Sequence, residues 1–153
     1  MADVLVVDDD PDLRELLVFS LEDDGHTVRV AGDGDEALAA LEAQAPDCLV
    51  LDIMMPGLDG YGVLRTRRQE GLAPDMRILI LTCKTAERDF VRGWELGADE
   101  YITKPFDPEQ VVQKVVDLLG SPLTELRDRR DAELQKAELL DRLETAFSRS
   151  LRL

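Results

Sequence analysis

Five times along this chain a short run of Val, Ile and Leu is followed by a longer amphipathic segment, and that alternation leaves few folds open. The runs are Val4–Val7, Thr27–Ala31, Cys48–Leu51, Arg77–Leu81 and Tyr101–Thr103, the last being the shortest. A strand that is apolar at nearly every position is buried on both faces, the usual state of a parallel strand covered by crossover helices. The spacing predicts an α/β fold, a doubly wound sheet of five parallel strands with five flanking helices, plus a C-terminal helix.

The intervening segments carry helix start and stop signals. Asp10-Pro11 supplies an N-cap and a first-turn proline, and Leu13, Leu16, Leu17, Phe19 and Leu21 then mark one face until Asp24-Gly25. A second helix is expected over about 34–45 with Ala37, Leu38 and Leu41 inward, and a third after Asp59-Gly60. A fourth is expected over about 86–96, ending at Gly97, and a fifth from Pro108. The polar stretch Glu70–Asp75 reads as a flexible connector, and the Arg65, Arg67 and Arg68 cluster as a solvated helix face.

At 153 residues the chain suits one domain, expected over 1–120, with a helical extension over 121–153. The extension holds as many basic as acidic side chains, so the net charge of −15 belongs to the domain. That charge argues against direct contact with nucleic acid, which needs clustered Lys and Arg. Without a basic leader or an apolar run near the roughly 20 residues of a membrane span, the expectation is a cytoplasmic protein with no membrane insertion. Cys48 and Cys83 lie far apart in apolar runs and read as buried, reduced thiols, while His26 reads as a solvated turn residue. In the extension, Ala132, Leu139, Leu140, Leu143, Ala146, Phe147 and Leu151 recur at near-helical spacing. Such a stripe needs a cover, and a signalling or dimerisation helix, hence a homodimer, is the expectation.

In a parallel sheet, ligands bind beyond the carboxyl ends of the strands. Here those ends carry Asp8-Asp9-Asp10, Asp52, Thr82 and Lys104-Pro105. Asp10 is assigned to capping. Clustered carboxylates raise one another's pKa unless a cation neutralises them, and an all-oxygen site suits Mg²⁺. An ionised Asp in such a site is a competent nucleophile toward phosphorus, with Lys104 offsetting charge on the transferred oxygens and Thr82 able to donate a hydrogen bond.

Val6-Val7-Asp8-Asp9-Asp10, Leu51-Asp52-Ile53-Met54-Met55-Pro56-Gly57-Leu58-Asp59-Gly60, Leu81-Thr82 and Tyr101-Ile102-Thr103-Lys104-Pro105-Phe106 together resemble the receiver domains of two-component response regulators, the flavodoxin-like fold of the chemotaxis response regulator. The resemblance covers about residues 3–119. It implies Asp52 as phosphoacceptor, Mg²⁺ on Asp8, Asp9, Asp52 and the Met54 backbone carbonyl, Lys104 on the phosphoryl group, and a cis Lys104-Pro105 bond. It also implies Thr82 and Tyr101 as a switch pair, and a histidine kinase or phosphotransfer protein as phosphodonor. Receivers usually carry Ala or Gly after the threonine, where this chain has Cys83.

The expected activity is therefore a phosphorylation-controlled switch for protein–protein signalling with no DNA-binding domain in this chain and no turnover of an external substrate. The alternatives are an unphosphorylated receiver-like scaffold, or the receiver fragment of a larger regulator with a missing output domain. A haloacid-dehalogenase-type hydrolase would need a second Asp at position 54, where Met stands, and no GxxxxGK phosphate loop occurs.

Overall fold

The computed structural model describes residues 2–151. Elements follow in the order β1 (Asp3–Val7), α1 (Pro11–Asp23), β2 (Thr27–Ala31), α2 (Gly34–Ala43), β3 (Cys48–Asp52), α3 (Gly60–Glu70), β4 (Arg77–Thr82), α4 (Glu87–Glu95), β5 (Glu100–Thr103), α5 (Pro108–Leu119) and α6 (Leu123–Ser150). All strand pairs are parallel and the sheet order is β2-β1-β3-β4-β5. Strand order reverses between β1 and β3, so the crevice at their carboxyl ends is the natural ligand position.

Side chains alternate across the pleat, and the two faces build two cores. Leu5, Val7, Leu49, Leu51, Ile78 and Ile80 point to the face covered by α2, α3 and α4. Val4, Val6, Cys48, Val50, Leu79 and Leu81 point to the other, closed by Leu17 and Leu21 of α1 and Val111, Val115 and Leu118 of α5. This double burial is why the central strands read as continuous apolar runs.

Caps fix where the helices begin. The Asp10 side chain accepts from the amides of Asp12 and Leu13, Asp33 from Glu36, and Asp59 from Gly62. Asp107 and Gln110 form a reciprocal capping box at α5. Helix α2 stops at Ala43, short of the expected 45, and its C-cap Gln44 is already extended. Pro46 restricts Ala45 in the same direction.

Several sequence expectations are corrected. The connector after α3 is stitched down: Arg67 donates to the carbonyls of Leu72, Ala73 and Pro74 at 3.0, 3.0 and 3.4 Å, so this arginine is not a solvated one. His26 keeps only 9% of its side chain exposed, with Nε2 2.9 Å from Asp24. Cys83 is exposed, because β4 ends at Thr82 and the chain leaves the sheet there. The extension is one helix, as expected, but of the expected stripe only Leu140 turns toward α4, and the helix docks mainly through other residues. Leu126 and Ala137 are buried and Leu134 packs on the core, while Leu139, Leu143, Phe147 and Leu151 stay exposed. Placing the stripe by apolar content alone overlooked the arginines that turn α6 toward α4.

Candidate functional site

Strands β1 and β3 end side by side, and each ends in a carboxylate. Asp8 follows β1 and is fully buried, Asp52 closes β3 at 2% exposure, and Asp9 stands beside them in solvent. One carboxylate oxygen from each of Asp8, Asp9 and Asp52 lies within 4.8 Å of the others. The Lys104 ammonium enters from the end of β5, 3.2 Å from Asp8 Oδ2 and 3.3 Å from Asp52 Oδ2. The Lys104-Pro105 peptide is cis, as expected.

The loop after each strand holds its carboxylate in place. Asp8 Oδ1 accepts from the Asp10 amide at 2.9 Å, and Asp52 Oδ1 accepts from the Met54 amide at 3.0 Å. Arg14, on the inner side of α1, donates to the Asp8 carbonyl at 2.8 Å. Arg14 was not singled out in the sequence. Its signal was a cation one turn into a helix that starts beside an acidic strand end. Gly60 was read only as a helix start, yet a Cβ there would stand 2.7 Å from both the Asp52 carbonyl oxygen and Ile53 Cα. Only glycine lets α3 begin this close to the end of β3.

Burial, then the neighbouring Asp8 charge, pushes the Asp52 carboxyl up to about 6, against the opposing pull of Lys104 and the Met54 amide. Burial lowers the Lys104 ammonium, but the Asp52 and Asp8 carboxylates outweigh it and leave its pKa raised. One ammonium does not fully compensate two buried carboxylates, and the site has room in its charge balance for a further cation.

Thr82 is buried at the end of β4, where its Oγ1 accepts from the Lys84 amide at 2.9 Å and its carbonyl accepts from the Lys104 amide at 2.9 Å. Tyr101 is not in the acidic cluster. Its ring lies further back along β5, edge-on to Phe90 at 4.8 Å and Trp94 at 5.0 Å, with burial raising its hydroxyl pKa. The Met54 side chain is 52% exposed.

Residues 4–116 match the family described as the response regulator receiver domain. The chain belongs to that family. This receiver is 44% identical over 130 residues to the alkaline phosphatase synthesis transcriptional regulatory protein PhoP of Bacillus subtilis, a match covering 82% of this chain and 53% of that protein. It is 45% identical over 112 residues to the DNA-binding response regulator MtrA of Mycolicibacterium smegmatis, covering 73% and 48%. Among solved structures it is similar to chemotaxis protein CheY4 of Vibrio cholerae, with a TM-score of 0.73, 32% identity and coverage of 77% of this chain and 98% of that one. It is also similar to the response regulator DrrB, a Thermotoga maritima OmpR/PhoB homolog, with a TM-score of 0.69, 31% identity and coverage of 78% and 52%.

The receiver thus spans about half the length of PhoP and MtrA. That overturns the expectation of a protein–protein signalling switch with no DNA-binding domain in this chain and favours the alternative, a receiver belonging to a larger regulator, because these relatives are named as transcriptional and DNA-binding regulators. Acidity and the lack of a basic face describe the receiver alone and say nothing of what a receiver is joined to. The family is a signalling domain rather than a conventional enzyme. Among the described residues, no helix is long and apolar enough to cross a membrane.

Proposed function

We propose that this chain is the phosphoacceptor receiver of a regulator of the DNA-binding class, with Asp52 taking the phosphoryl group from a histidine kinase or phosphotransfer protein. The observation that carries it is the convergence of Asp8, Asp9, Asp52 and Lys104 at the strand-order reversal of a receiver fold. The kinship with PhoP and MtrA supports the class of regulator.

Asp8, Asp9 and Asp52, with the Met54 backbone carbonyl, would hold Mg²⁺, and their uncompensated negative charge fits that ion. When bound, Mg²⁺ supplies positive charge that keeps Asp52 ionised and offsets charge on the phosphoryl oxygens. An Asp52 carboxylate oxygen attacks phosphorus. The bond from phosphorus to the donor's imidazole nitrogen breaks, and its electron pair stays on that nitrogen. Lys104, already beside Asp52, then pairs with the transferred phosphoryl oxygens. The Thr82 hydroxyl, which accepts from the Lys84 amide, has its own proton free to donate to the same group. No external substrate is turned over, and residues 1–120 form the working unit with α6 as an appended helix.

Borohydride reduces an aspartyl phosphate to homoserine, so the phosphorylated and reduced chain is expected to show homoserine at position 52 by peptide mapping. Unmodified Asp52 in protein that has taken up phosphate elsewhere would reject the assignment.

A further inference from the structure

Helix α6 lies along α4, and its docked side has two chemistries. Toward its start it is held by charge. Arg130 Nη2 is 3.3 Å from Asp99 Oδ1 and Arg130 Nη1 donates to the Gly97 carbonyl at 3.4 Å, while Arg129 Nη2 donates to the Asp99 carbonyl at 3.2 Å. Further along it is held by apolar contact. Ala137 and Leu140 wall a groove whose other side is Phe90, Trp94 and Tyr101.

The seam is unlike the sheet core. Between α3, the end of α4 and α6 lies a cavity of about 370 Å³ lined by Arg67, Arg68, Arg127 and Arg130 among others. A hollow, charged contact beside a small apolar patch resembles a transient interface more than a domain interior.

Strand β5 joins this seam to the acidic site. Asp99 and Glu100 at its start meet the arginines of α6, Tyr101 lies under α6, and Lys104 just past its end reaches Asp8 and Asp52. At strand geometry Tyr101 and Lys104 are about 10 Å apart. The Tyr101 ring has little slack, wedged between Phe90 and Trp94 with its hydroxyl where a Cβ on Gly93 would fall. A change in what Lys104 binds therefore has a short, packed route to the groove that α6 walls.

We propose that α6 is a displaceable occupant of the α4–β5 surface, held in cis by Arg129, Arg130, Ala137 and Leu140, and that charging the acidic site loosens it. The surface it uncovers fits an amphipathic helix with paired arginines ahead of a small apolar stripe, the pattern α6 itself presents. The coupling rests on Asp52 being the phosphoacceptor; the docking contacts do not.

The test uses the full chain with Mg²⁺ and beryllofluoride as phosphoryl mimic. Trp94, the only tryptophan, is 8% exposed beside α6 and reports undocking by fluorescence quenching. Hydrogen exchange of residues 126–140 reports it independently, with β1 and β3 amides as the control for folding. Fluorine NMR of the bound mimic, absent in Asp52→Asn, reports site loading. The expected result is exchange over 126–140 faster by about tenfold on loading, with greater Trp94 quenching. Arg129→Ala/Arg130→Ala, and separately Leu140→Asp, are expected to give the same change without the mimic. Bound fluoride with unchanged exchange and quenching would overturn the coupling and leave Asp52 in its role. No Asp52-dependent fluoride signal would overturn that role and the coupling with it. Variants that leave α6 protected would overturn the docking contacts.

Discussion

The Lys104 ammonium lies 3.3 Å from the Asp52 carboxylate, a contact made across the carboxyl ends of β3 and β5 with β4 between them. In the proposed transfer it would pre-position a cation where charge develops, and it balances part of the negative charge that Asp8 and Asp52 share. Removing it should hurt the reaction more than the fold. Lys104→Ala is expected to slow phosphoryl uptake from a small donor by about 100-fold. A rate within a factor of two of wild type, measured by intact mass over time, would leave Lys104 without a role in transfer.

Asp52 also makes stability depend on pH in the metal-free protein. Its carboxyl is raised from 3.8 to about 6, so the folded state holds the proton more tightly than the unfolded state does. Its contribution is therefore favourable below pH 3.8 and is lost as pH rises toward 6, by up to about 3 kcal/mol. In EDTA at pH 7, Asp52→Asn is expected to be more stable than wild type in urea melts, with the difference closing near pH 4 and shrinking when Mg²⁺ is added. A less stable Asp52→Asn at pH 7 would contradict the buried-charge account of the site.

Gly60 sits where α3 meets the end of β3, with no room for a Cβ beside the Asp52 carbonyl. Gly60→Ala must displace the Asp52 loop, at a cost of about 1–3 kcal/mol. Thermal melts should show the loss, and phosphoryl uptake should fall with it because the proposed nucleophile, Asp52, moves. An unchanged melt and rate would mean that the loop absorbs the methyl group freely.

Much of the fold was legible because its signals are local. The five apolar runs became the five strands, Asp10-Pro11 and Pro108 did start helices, and glycine did stop α4. The acidic cluster was legible for a topological reason: in a parallel sheet, residues just after successive strands share one edge, so Asp8, Asp52 and Lys104 had to be neighbours. The rest depends on contacts between distant segments. Nothing local distinguishes an Arg67 that stitches a loop from one that faces water, and nothing in α6 announces that Arg130 will find Asp99. Cys83 went wrong by a single residue at the end of β4, where the apolar run stops and the chain turns out to solvent. The proposed class of regulator was illegible for a different reason, since a receiver's charge carries no information about its output.

The most direct test of the central claim is intact-protein mass before and after incubation with Mg²⁺ and acetyl phosphate, in wild type and Asp52→Asn. Wild type is expected to gain one phosphoryl group, and the gain is expected to disappear with EDTA and in Asp52→Asn. A wild-type chain that gains no mass, or an Asp52→Asn chain that gains as much, would contradict it.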